Sequence, residues 1–127
     1  MKTRHFLAAA ALAFAALPPV QARQGIGRTE ALRHDLPEAA REVVQVRVDF
    51  APGAAFGRHT HPGEEIAYVL EGTLAYELPD RTVTLEAGQS LYIPAGTVHA
   101  ARNVGSRPAA ELATYLVDKG RPIVQAH

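Results

Sequence analysis

His59 and His61 stand one residue apart in the stretch GAAFGRHTHPGEEIAYVLEG, Gly53 to Gly72. On a strand, where side chains alternate faces, both imidazoles leave the same side. Pro62-Gly63 then bends the backbone and Glu65 heads a second apolar run, so two imidazoles and a carboxylate can converge. A second dense stretch, GQSLYIPAGTVHAARN from Gly88 to Asn103, offers His99 on what reads as another strand. Three imidazoles and one carboxylate are a donor set for a divalent first-row transition metal. An octahedral ion there would keep two positions open for water, dioxygen or a bidentate substrate. Manganese, iron, cobalt, nickel, copper and zinc all suit such nitrogen and oxygen donors, and the set alone does not choose among them. The chain has no cysteine, which removes thiol nucleophiles and thiolate ligands.

Two spaced patterns run through these stretches. Gly53, His59, His61, Glu65 and Gly72 match every specified position of the first cupin motif, and Gly88, Pro94, Gly96, His99 and Asn103 match the second, with 15 residues between the motifs. The chain therefore resembles the cupin superfamily, and more closely its small exported bacterial single-domain members with a type 2 barrel. The resemblance covers residues 53–103, and beyond them extends only to length and strand pattern. It implies an all-β fold, the double-stranded β-helix or cupin jelly-roll barrel. It also implies one divalent transition metal ion held by His59, His61, Glu65 and His99.

Those residues need strands to carry them, and the strand signals are present. Val44, Val46, Val48 and Phe50 alternate with polar residues, the pattern of a half-buried strand. Arg58–His61 and Glu65–Glu71 read as the next two strands. Leu74–Leu78 and Thr82–Glu86 form a hairpin around Pro79-Asp80. Ser90–Ile93, Thr97–Asn103 and Leu112–Val117 complete the set, at a spacing that suits a barrel or sandwich. Thr29–His34 reads as a short edge strand after a loose leader, Leu36–Ala40 as a turn, and the segment ending in His127 as a mobile tail. On the strand from Glu65, residues Ala67 and Val69 share the ligand face while Ile66, Tyr68 and Leu70 take the other. That second apolar face calls for a cover, and a homodimer is the expected one.

The N-terminus predicts export. Lys2 and Arg4 precede an apolar run from Phe6 to Leu17, broken by Pro18-Pro19 and followed by the small-residue site Val20-Gln21-Ala22, the layout of a secretory signal peptide. The run is shorter than the ~20 residues a membrane span needs. The expected organisation is a signal peptide over 1–22, a leader and edge strand over 23–42, the barrel over 43–118 and a tail over 119–127. The product is expected in the periplasm or secreted, with no membrane attachment after cleavage. Removing Lys2 and Arg4 from 13 basic residues leaves 11 against 13 acidic ones, a net charge of −2, which argues against electrostatic binding of nucleic acid.

Among the neighbours of the ligands, Glu64 is expected to face solvent, Arg58 and Arg102 to point outward into salt bridges, and His34 and His127 to take no part. Asn103 is expected to bond backbone near the end of its strand. Phe50, Ala67, Val69, Ile93 and Ala101 should face the pocket, with Phe56, Tyr76 and Tyr92 at its wall or rim. Three functions compete. A metal-dependent enzyme, a dioxygenase or an isomerase or lyase, would act on a small oxygen-bearing molecule, with Glu65 as catalytic proton acceptor. A non-catalytic protein would hold a metal or small molecule. A structural zinc would staple the barrel, a role that more often recruits cysteine.

Overall fold

A computed structural model describes residues 24–38 and 40–127; the signal-peptide expectation for residues 1–22 lies outside them. Ten strands follow in order: β1 (Ile26–Asp35), β2 (Arg41–Phe50), β3 (Ala55–Thr60), β4 (Gly63–Glu71), β5 (Thr73–Glu77), β6 (Thr82–Glu86), β7 (Ser90–Ile93), β8 (His99–Asn103), β9 (Ala109–Asp118) and β10 (Gln125–Ala126). They form two five-stranded antiparallel sheets, one ordered β1-β2-β9-β4-β7 and the other β10-β3-β8-β5-β6. Among the described residues there is no helix. This is the expected jelly-roll barrel.

Alternation decides which side chains face in. Val44, Val46, Val48 and Phe50 of β2 are buried, as are Ala67 and Val69 of β4, Leu74 and Tyr76 of β5, and Ala113, Tyr115 and Val117 of β9. They meet between the sheets in one apolar cluster, the usual core of two packed antiparallel layers. Glu65 enters this interior because it shares a face with Ala67 and Val69. Ile66, Tyr68 and Leu70 take the outer face and remain exposed.

At both ends of the described residues the strands reach further than the sequence suggests. Strand β1 begins at Ile26 rather than Thr29, because Ile26 is buried opposite Phe50 and the pairing with β2 continues to Asp35. The tail is not loose either. Gln125 and Ala126 pair with Thr60 and His59 on β3, and the His127 amide donates to the Arg58 carbonyl at 3.0 Å.

Two features hold the strands that carry the ligands. Gly63 opens β4 against β9, where an added Cβ would fall 2.0 Å from the Leu116 carbonyl oxygen, so only glycine lets the backbones approach so closely. At the end of β8, buried Asn103 donates its side-chain amide to the carbonyls of Phe50, Ala51 and Arg107 at 3.2, 3.2 and 2.7 Å and accepts from the Gly105 amide at 2.9 Å. Asn103 thus bonds backbone, as expected, and ties the β8 exit to the β2 exit. Asn103→Ala leaves these backbone groups without their partner and is expected to cost roughly 2–3 kcal/mol. Thermal unfolding checks this, with a fall in Tm of ~4–8 °C per kcal/mol for a domain of this size.

Candidate metal centre

Four candidate ligands arrive from three strands and one turn. His59 lies on β3, His61 just after it, Glu65 on β4 and His99 at the start of β8. Residues 59 and 99 are Cα partners across β3 and β8, which sets their rings side by side, tilted by 54° with centroids 4.3 Å apart. The turn through Pro62 brings the His61 ring to 4.8 Å from His59 and 5.1 Å from His99. All four side chains are buried, at 3–5 % exposure. Their ligand atoms lie within 4.8 Å of one another, the one group of this kind among the described residues.

Backbone carbonyls orient every ring. The Nδ1 of His59 bonds the Gly57 carbonyl at 2.6 Å, that of His61 the Ile123 carbonyl at 2.6 Å, and that of His99 the Thr97 carbonyl at 2.8 Å. A carbonyl only accepts, so each Nδ1 carries the hydrogen and each neutral ring turns an Nε2 lone pair inward. Glu65 Oε2 meets two of these nitrogens, at 2.8 Å from His61 and 3.1 Å from His99. His61 Nε2 makes no directed hydrogen bond there and is a buried nitrogen without a partner.

Such a gathering of lone pairs repels itself unless a cation lies among them. One proton serves one pair; a divalent ion serves all four. Ligands ~2.1 Å from a common ion stand up to ~4.2 Å apart, so the observed spread needs only a small contraction. The residues therefore fit a metal, and the donor set alone leaves its identity open.

The electrostatics agree. Burial pushes His59 down to about 3, partly countered by its bond to Gly57, so this ligand is neutral at physiological pH. Burial also opposes the charge on Glu65, but the adjoining His61 and His99 outweigh it and hold the carboxyl below its ordinary range. For His99 the balance goes the other way. Burial lowers it, yet the hydrogen bonds that its protonated form donates to the Glu65 carboxylate and the Thr97 carbonyl leave it raised, the response of a ring that a carboxylate draws toward positive charge.

On its inner side the cluster opens on a small cavity lined also by Phe56, Tyr76, Ala101, Glu111 and Tyr115, with Arg28 at its edge. Phe56 and Tyr76 take the expected wall positions, whereas Tyr92 points outward and is 58 % exposed. Tyr76 donates its hydroxyl to Glu111. Burial, and secondarily the Glu65 carboxylate, push the Glu111 carboxyl up to about 8. Burial likewise raises both Tyr76 and Tyr115.

Sequence reasoning missed Glu111, Tyr115 and Arg28 as site residues. Glu111 carried one readable signal, a charged residue on the inward register of an otherwise apolar strand. Arg28 carried none, since it stood in what read as a leader.

Neighbours fall mostly as expected. Glu64 turns away to pair with Arg41 at 2.6 Å. Arg58 and Arg102 are exposed on the outer surface, but neither makes an ion pair among the described residues. His34 lies on the outer face of β1, remote from the ligands, while His127 bonds Thr60 Oγ1 at 3.0 Å through its ring and stays outside the four-residue group.

The chain is similar to known proteins. The family model for "Cupin domain" matches residues 46–115. Germin-like protein 1-1 of Oryza sativa subsp. japonica is 42 % identical over 81 residues, which span 58 % of this chain and 37 % of that protein. The chain thus spans little more than a third of that relative. Tetracenomycin polyketide synthase protein TcmJ of Streptomyces glaucescens is 32 % identical over 103 residues, 80 % of this chain and 68 % of its own length. Among solved structures, Bacillus subtilis oxalate decarboxylase, characterised for its Mn(II) centres, superposes with a TM-score of 0.60 at 26 % identity, covering 66 % of this chain and 23 % of that one.

His59→Ala, His61→Ala, Glu65→Gln and His99→Ala are each expected to lower metal affinity, and His34→Ala to leave it unchanged. Deleting residues 123–127 removes the carbonyl that orients His61 and is expected to weaken the metal by ~10–100-fold, the usual effect of losing a partner that orients a ligand. Metal stoichiometry and competition with a chelator measure all six. Equal affinities throughout would refute the assignment.

Proposed function

The chain belongs to the cupin family, and on that premise we propose that it is a metal-dependent enzyme of the oxygenase or isomerase and lyase type. Its substrate is a small oxygen-bearing organic molecule. It works as a homodimer, in the periplasm or outside the cell. The observation that supports catalysis over a structural role is the asymmetry of the site. On one side the rings are held by the carbonyls of Gly57, Thr97 and Ile123, while on the other His59, Glu65 and His99 face a cavity walled by Tyr76, Glu111 and Tyr115. A staple has no need of that second side.

A divalent transition ion at His59, His61, Glu65 and His99 would supply Lewis-acid polarisation of a substrate oxygen and, if redox-active, electron transfer to dioxygen. The rest falls to the chain. His59, His61 and His99, locked by Gly57, Ile123 and Thr97, keep their geometry without reorganising, which is how a site is held ready for charge that develops during reaction. Glu65 is the carboxylate that borders both the ligand cluster and the cavity, and takes a proton from a substrate carbon or hydroxyl. Glu111, protonated near neutrality and bonded to Tyr76, holds a proton at the opposite wall. A base and an acid thus face one small space, the division of labour that proton transfer requires.

Reloading the metal-free protein with manganese, iron, nickel, copper or zinc tests the reading on a panel of enediols, catechols and β-dicarbonyls. Turnover with dioxygen uptake under a redox-active metal marks the oxygenase version, and equal turnover with zinc the Lewis-acid version. Glu65→Gln is expected to lower kcat by ~10²–10⁴. Tight binding across the panel without turnover would sink the enzyme reading in favour of a binding protein.

The homodimer rests on the outer face of the first sheet, where Ile66, Tyr68, Leu70 and Tyr92 are 38–58 % exposed. Adjoining exposed apolar side chains of this kind mark a surface that a second copy covers. Sedimentation should give a dimer for the native chain and a monomer for Tyr68→Glu. A monomeric native chain would refute it.

A further inference from the structure

The cavity beside the ligands has one wall unlike the rest. Arg28 is exposed, and every other lining side chain is buried. Register explains its position. Residue 28 pairs with Val48 across β1 and β2, and Val48 is buried, so the arginine stands on the inner face of an edge strand at the cavity mouth.

Its contacts there are loose. The guanidinium carbon lies 5.5 Å from the Phe56 ring centroid and 5.8 Å from that of Tyr115. Both terminal nitrogens reach the same acceptor, the Tyr115 hydroxyl, at 3.4 Å, the long end of a hydrogen bond. Among the described residues Arg28 makes no ion pair, whereas Arg33, Arg41 and Arg47 of the same sheet each hold a carboxylate. The cavity's own carboxylates are engaged elsewhere, Glu65 with the imidazoles and Glu111 with Tyr76. A guanidinium is a planar fork of donors that fits a planar oxyanion at two points, and this one lacks such a partner.

Size adds a second constraint. The cavity holds about 10 Å³, room for about one water. A larger molecule enters only when a lining side chain moves, and Arg28 is the exposed and weakly held one.

We infer that Arg28 is both the movable wall and the anion anchor of this cavity: the substrate is a small carboxylate whose two carboxylate oxygens the Arg28 fork takes, with the rest of the molecule toward the four ligands. This rests on the metal-site reading above and narrows the substrate class. The Tyr115 hydroxyl, released as Arg28 turns, becomes a further donor to the same carboxylate. Arg28 accordingly selects for charge and planarity, and acetamide, the neutral counterpart of acetate, is excluded.

Isothermal titration of zinc-loaded protein with acetate, glycolate and acetamide tests the inference, with zinc content measured on the same samples. Acetate and glycolate should bind and acetamide should not. Arg28→Gln should weaken both anions by ~10–100-fold, the effect of losing a charged hydrogen-bond donor, at unchanged zinc content. Arg28→Lys, which keeps the charge without the fork, should fall between. Full zinc content with anion affinities indifferent to Arg28, with acetamide bound as well as acetate, or with no anion bound, would overturn the anchor and leave the metal site standing. Failure of the native chain to take up zinc or any other divalent transition ion would overturn both.

Discussion

A buried carboxylate surrounded by imidazole lone pairs is the constraint on which the rest of this structure depends. Glu65 sits in the interior with His59, His61 and His99 around it, and low dielectric magnifies every uncompensated charge there. The fold answers by fixing each ring through its Nδ1, so that the nitrogens that face Glu65 all carry lone pairs. These carbonyl bonds come from the approach to His59 on β3, the turn before β8 and the segment before β10. The C-terminal segment is thereby part of the site.

The two ends of the cavity have different origins in the chain. The ligand end is built from β3, β4 and β8, with turns shaped by Pro62, Gly63 and Asn103. The facing end is built from Arg28 on β1, Tyr76 on β5 and Glu111 and Tyr115 on β9. One end is set up to hold a cation. The other presents hydroxyls, a carboxyl whose pKa burial raises and an accessible guanidinium. Chemistry can therefore vary at one end while the ligand geometry stays the same, in keeping with the rule that a fold alone does not fix a reaction.

The barrel keeps this polar interior tolerable by surrounding it with a dry core. Val44, Val69, Leu74 and Val117 are fully buried between the sheets, and hydrophobic burial there offsets the desolvation of the site. Alternation then places Ile66 and Tyr68 outside, on the same strand that carries Glu65 inside. The exposed apolar face lies opposite the ligand face because successive side chains of a strand alternate sides.

Much of this was legible in the amino-acid order. The spacing of His59, His61 and Glu65 requires a shared strand face and a turn, period two sorts Val44 to Phe50 and Ala67 to Val69 inward, and the glycine and proline punctuation marks where strands end. These are local facts, decided by backbone geometry within a few residues, and they sufficed for the four-residue cluster and most of the strands, while the jelly-roll barrel was what the resemblance to the two cupin motifs implied. The cavity's far wall was not local. Arg28 faces inward because β1 pairs with β2 in one register, Glu111 and Tyr115 reach the site because β9 lies between β2 and β4, and Ile123 meets His61 because β10 docks on β3. Arg28 precedes His59 by 31 positions, Glu111 follows Glu65 by 46 and Ile123 follows His61 by 62, and register and sheet order, which no short stretch of sequence encodes, exist only once the two sheets have closed on each other.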